Sequence, residues 1–141
     1  MPYKALVEKS VPVPRAKMYA LLADFGGIGK VMGDAVESCV LEGEGIGSIR
    51  RVKARGSNDV LAERLDAALD GRLISYSLVS PSSLPLEYYN AVVTLHDAPG
   101  GGTLVEWGSN WVAKGAPEDT VRRMLNGLYT NIIDALVKAA K

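Results

Sequence analysis

The chain has 141 residues, 48% hydrophobic and 23% charged, with sixteen basic side chains against sixteen acidic ones. These values suit one globular domain over residues 1–141, and with no basic run to track phosphates a nucleic-acid partner is excluded. Cys39 is the only cysteine and His96 the only histidine, so an intrachain disulfide, a His-rich metal site and a Ser-His-Asp triad all lack parts. No metal and no cofactor are expected. No apolar run has signal-peptide or membrane-spanning length, which predicts a cytoplasmic protein without a membrane span.

Residues Tyr3 to Val11 alternate loosely and predict a first strand, ended by Pro12 and Pro14. Met18, Leu21, Leu22 and Phe25 predict a short helical face over Pro14 to Phe25, broken by Gly26, Gly27 and Gly29. Ile28 to Met32 predicts another turn of helix, and Ala35 to Leu41 a second strand. Glu42-Gly43-Glu44-Gly45-Ile46-Gly47 reads as a tight hairpin whose glycines relieve φ strain. It lacks the GxGxxG pattern and precedes a strand, so a phosphate cradle is not expected.

The next two hairpins can be registered from their turns. Arg55-Gly56-Ser57-Asn58 fits a two-residue loop, which sets Val52 opposite Leu61 and Arg50 opposite Glu63. Leu69-Asp70-Gly71-Arg72 carries an Asp-Gly signature and sets Ala67 opposite Ile74, Leu65 opposite Tyr76, and Glu63 opposite Leu78. Both turns put Arg50, Val52, Leu61, Glu63, Leu65, Ala67, Ile74, Tyr76 and Leu78 on one face. The opposite face carries Arg51, Lys53, Arg64, Asp66, Ser75 and Ser77 and reads as solvated.

Two long strands follow the loop Pro81 to Pro85, from Leu86 to Asp97 and from Thr103 to Lys114. Pairing Leu95 with Val105 sets Val93 opposite Trp107, Ala91 opposite Ser109, and Tyr89 opposite Trp111, again an apolar and aromatic face. His96 falls on the outer face, where a solvated histidine is expected, and Cys39 reads as a small apolar filler. From Ala116 to Lys141, apolar residues at Val121, Met124, Leu125, Leu128, Tyr129, Ile132, Ile133, Leu136 and Val137 mark a broad face of one helix. Such a helix of about 24 residues is roughly 36 Å long and needs a large partner surface. Pro117 suits its first position. Gly127 within it suggests close approach to a neighbour, or room left for something else.

The segments Gly45-Ile46-Gly47-Ser48-Ile49-Arg50, Glu63-Arg64-Leu65-Asp66, Tyr76-Ser77-Leu78, Leu84-Pro85-Leu86 with Tyr89, Gly102-Thr103, Glu106-Trp107 with Trp111, and Leu125-Asn126-Gly127-Leu128-Tyr129 run in order along nearly the whole chain. With the element order, they resemble the START/Bet v 1-like (SRPBCC) superfamily, in particular its polyketide cyclase/dehydrase and MxaD-like branch. The resemblance implies an α+β helix-grip fold: a seven-stranded curved antiparallel sheet around a long C-terminal helix, with two short helices after the first strand. It also implies an apolar cavity between sheet and helix. A Trp often found after the short helices is replaced by Val31-Met32-Gly33, which implies a more open or differently shaped mouth.

On that cavity wall Arg50 and Glu63 are the sharpest pair, because charge on an apolar face must be paired or hydrogen-bonded. Either Arg50 binds an anion and Glu63 moves a proton, with Tyr76 as partner acid, or the pair only holds two strands in register. Tyr89, Trp107, Trp111, Leu65, Leu125, Leu128, Tyr129 and Ile132 are expected to contact the ligand. Asn126 and Asn131 could reach ligand or water. Two functions are compatible with these residues. One is cofactor-independent acid/base chemistry, of lyase, cyclase or dehydratase type, on a hydrophobic, aromatic small molecule bearing an acidic or phenolic group. The other is non-catalytic carriage of a lipid or aromatic ligand. A homodimer is compatible with either.

Overall fold

The computed structural model describes residues 3–141. Seven strands, β1 (Ala5–Val11), β2 (Val36–Glu42), β3 (Ile49–Ala54), β4 (Val60–Leu69), β5 (Leu73–Leu78), β6 (Leu86–Asp97) and β7 (Thr103–Ala113), form one antiparallel sheet ordered β1-β7-β6-β5-β4-β3-β2. Helices α1 (Arg15–Ala23) and α2 (Ile28–Met32) follow β1, and α3 (Glu118–Ala139) comes last. This is the helix-grip architecture expected from the sequence.

The inward side of α3 buries Val121, Leu125, Tyr129, Ile132, Ile133 and Leu136, and each such side chain removed from water contributes about 1.5–3 kcal/mol. Pro117 is the N-cap rather than the first helical residue. Met124 and Leu128, expected on the buried face, are 38% and 44% exposed at its margin. Nothing approaches Gly127, so close packing is not the reason for it. Polar ties hold α3 along β1: Arg122 Nε donates to the Lys4 carbonyl at 2.7 Å, Lys4 meets Glu118 at 3.1 Å, and Lys9 pairs with Asp134.

The β3–β4 register matches the expectation, with Arg50 opposite Glu63 and Val52 opposite Leu61. The turn itself is wider. The ladder closes at Lys53 and Val60, and Ser57 N–H donates to Ala54 with Gly56 at φ +82°. At the β4–β5 hairpin Leu65 faces Tyr76 and Glu63 faces Leu78, but beyond Leu65 the pairing slips by one, to Ala67–Ser75 and Ala68–Ile74. A bulge at Asp66 absorbs the extra residue of a three-residue turn, so Ala68 rather than Ala67 packs on the core.

A second bulge interrupts β6–β7. Leu95–Val105, Val93–Trp107 and Ala91–Ser109 pair as expected, but Tyr88 and Tyr89 together oppose Trp111. Tyr88 adopts φ +53°, a left-handed conformation that costs a bulky residue about 1–3 kcal/mol. Ser75, expected in solvent, is buried: its hydroxyl donates to the Ala91 carbonyl at 3.0 Å and accepts from Asn90 at 3.2 Å. His96 lies on the outer face, 2.7 Å from Glu106.

Two glycines place α2. A Cβ on Gly29 would lie 2.9 Å from the Cβ of Cys39, and one on Gly26 3.0 Å from that of Leu41. Without them the short helices could not lie against β2 and wall one side of the interior. Burial raises the pKa of the Cys39 thiol, which suits an inert filler.

Candidate functional site

A cavity of about 300 Å³ lies between β3–β5, α2 and α3. Its wall is almost wholly apolar: Val52, Leu61 and Leu78 from the sheet, Ile28 and Met32 from α2, Leu125, Leu128 and Ile132 from α3. Tyr76, Tyr89, Arg50 and Glu63 supply its polar atoms. Half-exposed Leu128 marks its open side.

Arg50 and Glu63 project inward because their strands pair them directly. Arg50 is 8% exposed, and its Nε donates to Glu63 Oε1 at 2.8 Å. Its Nη1 donates to the Phe25 carbonyl at 3.2 Å. The guanidinium carbon lies 4.0 Å from the Phe25 ring centre and 4.9 Å from that of Tyr76. Charge pairing, a backbone acceptor and two aromatic faces thus offset the desolvation of the guanidinium. Arg50 Nη2 and Glu63 Oε2 make no hydrogen bond among the described residues. One donor and one acceptor therefore remain for a ligand.

The tyrosines are held as neutral hydroxyls. Tyr76 OH accepts from Trp107 Nε1 at 3.2 Å. Burial, then the nearby charge of Glu63, raises its pKa far above the ordinary phenol value. Burial does the same to Tyr89. Tyr89 and Tyr129 share a hydroxyl hydrogen bond, and Tyr129 donates onward to Ser109 Oγ at 2.7 Å. The Tyr129 phenol is pushed up to about 12, chiefly by burial. At neutral pH these groups can donate protons or hydrogen bonds but cannot serve as phenolate bases. Behind Arg50 and Tyr76 a separate void of about 20 Å³, bordered by Asp24 and Phe25, has room for one water.

The family model for polyketide cyclase / dehydrase and lipid transport matches residues 4–141. The chain belongs to this family. Among solved structures, XoxI from Bacillus cereus is similar with a TM-score of 0.80 at 19% identity, over 96% of this chain and 94% of that one. Ara h 8.0201 gives 0.79 at 24% identity, over 96% and 95%. Truncated norcoclaurine synthase from Thalictrum flavum gives 0.75 at 14%, over 95% and 90%. At such identities these structures speak for fold. No match is found among curated proteins. Membership in the polyketide cyclase / dehydrase and lipid transport family supports binding of a hydrophobic small molecule. Among the described residues no helix is long and apolar enough to cross a membrane, and no cluster could hold a metal ion.

In this family member, Arg50, Glu63, Tyr76, Tyr89, Leu125, Leu128 and Ile132 meet at the cavity. Trp107, Trp111, Leu65 and Tyr129 do not line it. Trp107 stacks on Tyr129, ring centres 5.6 Å apart, inside the packed core. Trp111 is 3% exposed beneath Lys4, whose ammonium lies 5.4 Å from its ring centre. Leu65 is 4% exposed in the same core. Leu65, Trp107 and Trp111 come from the inward face of the sheet and Tyr129 from α3, and all four are buried in the packed core. Asn126 Oδ1 and Trp111 Nε1 are buried without a hydrogen-bond partner, and Asn131 is exposed. Sequence reasoning missed Ile28, Met32, Val36 and Leu84 as wall residues. Only the apolar spacing of Ile28 and Met32, one turn apart, pointed to them.

Proposed function

We propose that this protein binds a compact aromatic molecule carrying an acidic, phenolic or enolisable carbonyl oxygen, and performs cofactor-independent acid/base chemistry on it. The observation that carries this reading is the half-used ion pair: the wall of an apolar cavity holds a guanidinium whose Nη2 amino group is unused and a carboxylate with one unused oxygen, on adjacent strands. In this reading Arg50 Nη2 holds the oxygen, and a charge-assisted bond there strengthens as that oxygen becomes an enolate. Glu63 Oε2 takes a proton from the carbon beside the carbonyl. The C–H electron pair then moves into the enolate. Loss of a β-hydroxyl as water, with the proton returned by Glu63, completes a dehydration; attack of the enolate carbon on a second carbonyl, whose oxygen takes the proton back from Glu63 as the C=O π bond opens, completes a cyclisation. Tyr76, a neutral hydroxyl on the same wall, donates to either oxygen. The volume of about 300 Å³ is at the lower end of small-molecule sites, which favours one or two rings over a two-chain lipid. Tyr76 and Tyr89, rather than the tryptophans, supply the aromatic contact.

Fluorescence titration with 2-naphthoic acid and its methyl ester tests the binding half. The acid should bind tighter than the ester to wild type, and the preference should vanish in Arg50→Met/Glu63→Leu, which keeps the volume filled. An equal response of both probes would make the pair a purely structural tie. Glu63→Gln tests the catalytic half: turnover on a substrate found by screening should fall with binding largely kept. Unchanged turnover would leave a carrier.

A further inference from the structure

Beside the inner cavity lies a larger open groove of about 650 Å³, under the loop joining β5 to β6. The two volumes share two side chains, Leu78 and Leu84. Both leucines are half-buried and pack against the core, so they form a thin partition rather than a solid wall. The chemistry changes across it. Inward of the leucines the surface is apolar with one ion pair; outward it carries Ser80, Ser82, Glu87, Tyr88 and Lys114.

The partition rests on a lightly tethered segment. Among the described residues, side-chain hydrogen bonds tie the stretch from Ser80 to Leu84 to another part of the fold only through Asp59, whose carboxylate accepts from Ser83 N–H and Ser83 Oγ, both at 2.8 Å. The flanks are firm: Val79 N–H donates to Ala62 and Lys114 N–H to Pro85, each at 2.9 Å. Leu84 therefore sits on a short span between two fixed points. The β6 bulge places consecutive tyrosines on the two chambers, Tyr89 on the cavity and Tyr88, 79% exposed, on the groove. Lys114 and Glu87 approach only to 3.7 Å, so the Lys114 ammonium is available to an oxygen-rich group.

We propose that cavity and groove are two halves of one binding site, in which a ligand's aromatic head fills the cavity and a flexible, oxygen-rich tail passes Leu84 to lie in the groove against Tyr88 and Lys114. This rests on the proposed binding of an aryl acid in the cavity. A macromolecular partner is not favoured, because only two side chains, Leu78 and Leu84, separate the groove from the small-molecule cavity. Tyr88 and Lys114, which border the groove and not the cavity, are then specificity determinants: they hold the tail and do not touch the head.

The test uses two probes on the full-length protein, 2-naphthoic acid and the same acid carrying a hydroxyl-ended oligoether tail at its far ring position. In wild type the tail should tighten binding on the order of tenfold, a gain of about 1.4 kcal/mol. Tyr88→Ala and Lys114→Ala, which alter residues on the groove alone, should each erase most of that gain and leave naphthoic acid within about twofold of wild type. A tail that gives no gain in wild type, or variants that weaken both probes alike, would overturn the two-part site while leaving the cavity reading intact. Failure of naphthoic acid itself to bind wild type would overturn both.

Discussion

The two ends of the space beneath α3 are built to different rules. Toward β1, β7 and β6 it is close-packed apart from the void of about 20 Å³ that Val93 and Trp107 border: Trp107, Tyr129, Val93, Val105 and Ile133 are each 2% exposed or less. Toward β3 to β5 the same helix stands off the sheet, leaving a cavity of about 300 Å³ with a buried charge pair on its wall. The solid end supplies the burial that holds α3 in place. The hollow end gives up that burial and keeps polar atoms, so stability and binding are divided along one helix.

The sharpest way to break this comparison is to cut the pair. Arg50→Ala leaves Glu63 buried without its partner and should cost about 3–5 kcal/mol in urea unfolding; Arg50→Met/Glu63→Leu should recover most of it. A loss below about 1 kcal/mol would mean that the pair behaves as a surface salt bridge. Truncation comes next. Ile133→Ala at the solid end should cost about 2–5 kcal/mol, while Leu128→Ala on the cavity margin should cost less than about 1. Similar costs at both sites would deny that one end is hollow.

Enlargement sharpens the same contrast. Val105→Phe has nowhere to put a ring and should lose about 1–3 kcal/mol, whereas Val52→Phe fills existing space, should be near neutral and should abolish ligand binding. The smallest effect is a pH response. The Tyr129 phenol has a folded pKa of about 12 against an ordinary 10.0. A raised folded value means that its contribution to stability is complete below pH 10 and is lost as pH rises toward about 12. Phenolate absorbance of Tyr76, Tyr89 and Tyr129 should therefore appear together with loss of circular dichroism. A gradual rise from all six tyrosines while the fold persists would count against their burial.

What could be read from residues alone follows from the period of a strand. The Gly56-Ser57 turn was enough to place Arg50 opposite Glu63, because side chains alternate with period two and one correct pair sets its neighbours; Leu65 opposite Tyr76 also came out as expected, but because the bulge at Asp66 cancels the extra residue of the turn after Leu69. The bulges at Asp66 and Tyr88 escaped, since a single extra residue leaves composition and spacing almost unchanged. Alternation also gives the face but not the position along the helix above it. Trp107 and Tyr76 therefore looked equivalent, although one is packed under Tyr129 and the other borders open volume. The α2 wall escaped for a different reason: at five residues, helical periodicity barely repeats once.

The pairing of β1 with β7 has a consequence for synthesis. Ala5 meets Ser109 and Val11 meets Thr103, so β1 leaves the ribosome about 100 residues ahead of the strand it pairs with. At the usual pace of about 5–20 residues per second that wait is roughly 5–20 s, and α3, which β1 also flanks, arrives later still. During that interval the solid end does not exist. The hairpins β3–β4 and β4–β5, closed by short turns, can form first and on their own. The nascent chain therefore forms the β3–β5 side of its cavity before α3 arrives to close it, and β1 remains without its strand partner, exposed to chaperones or to neighbouring chains, until β7 emerges.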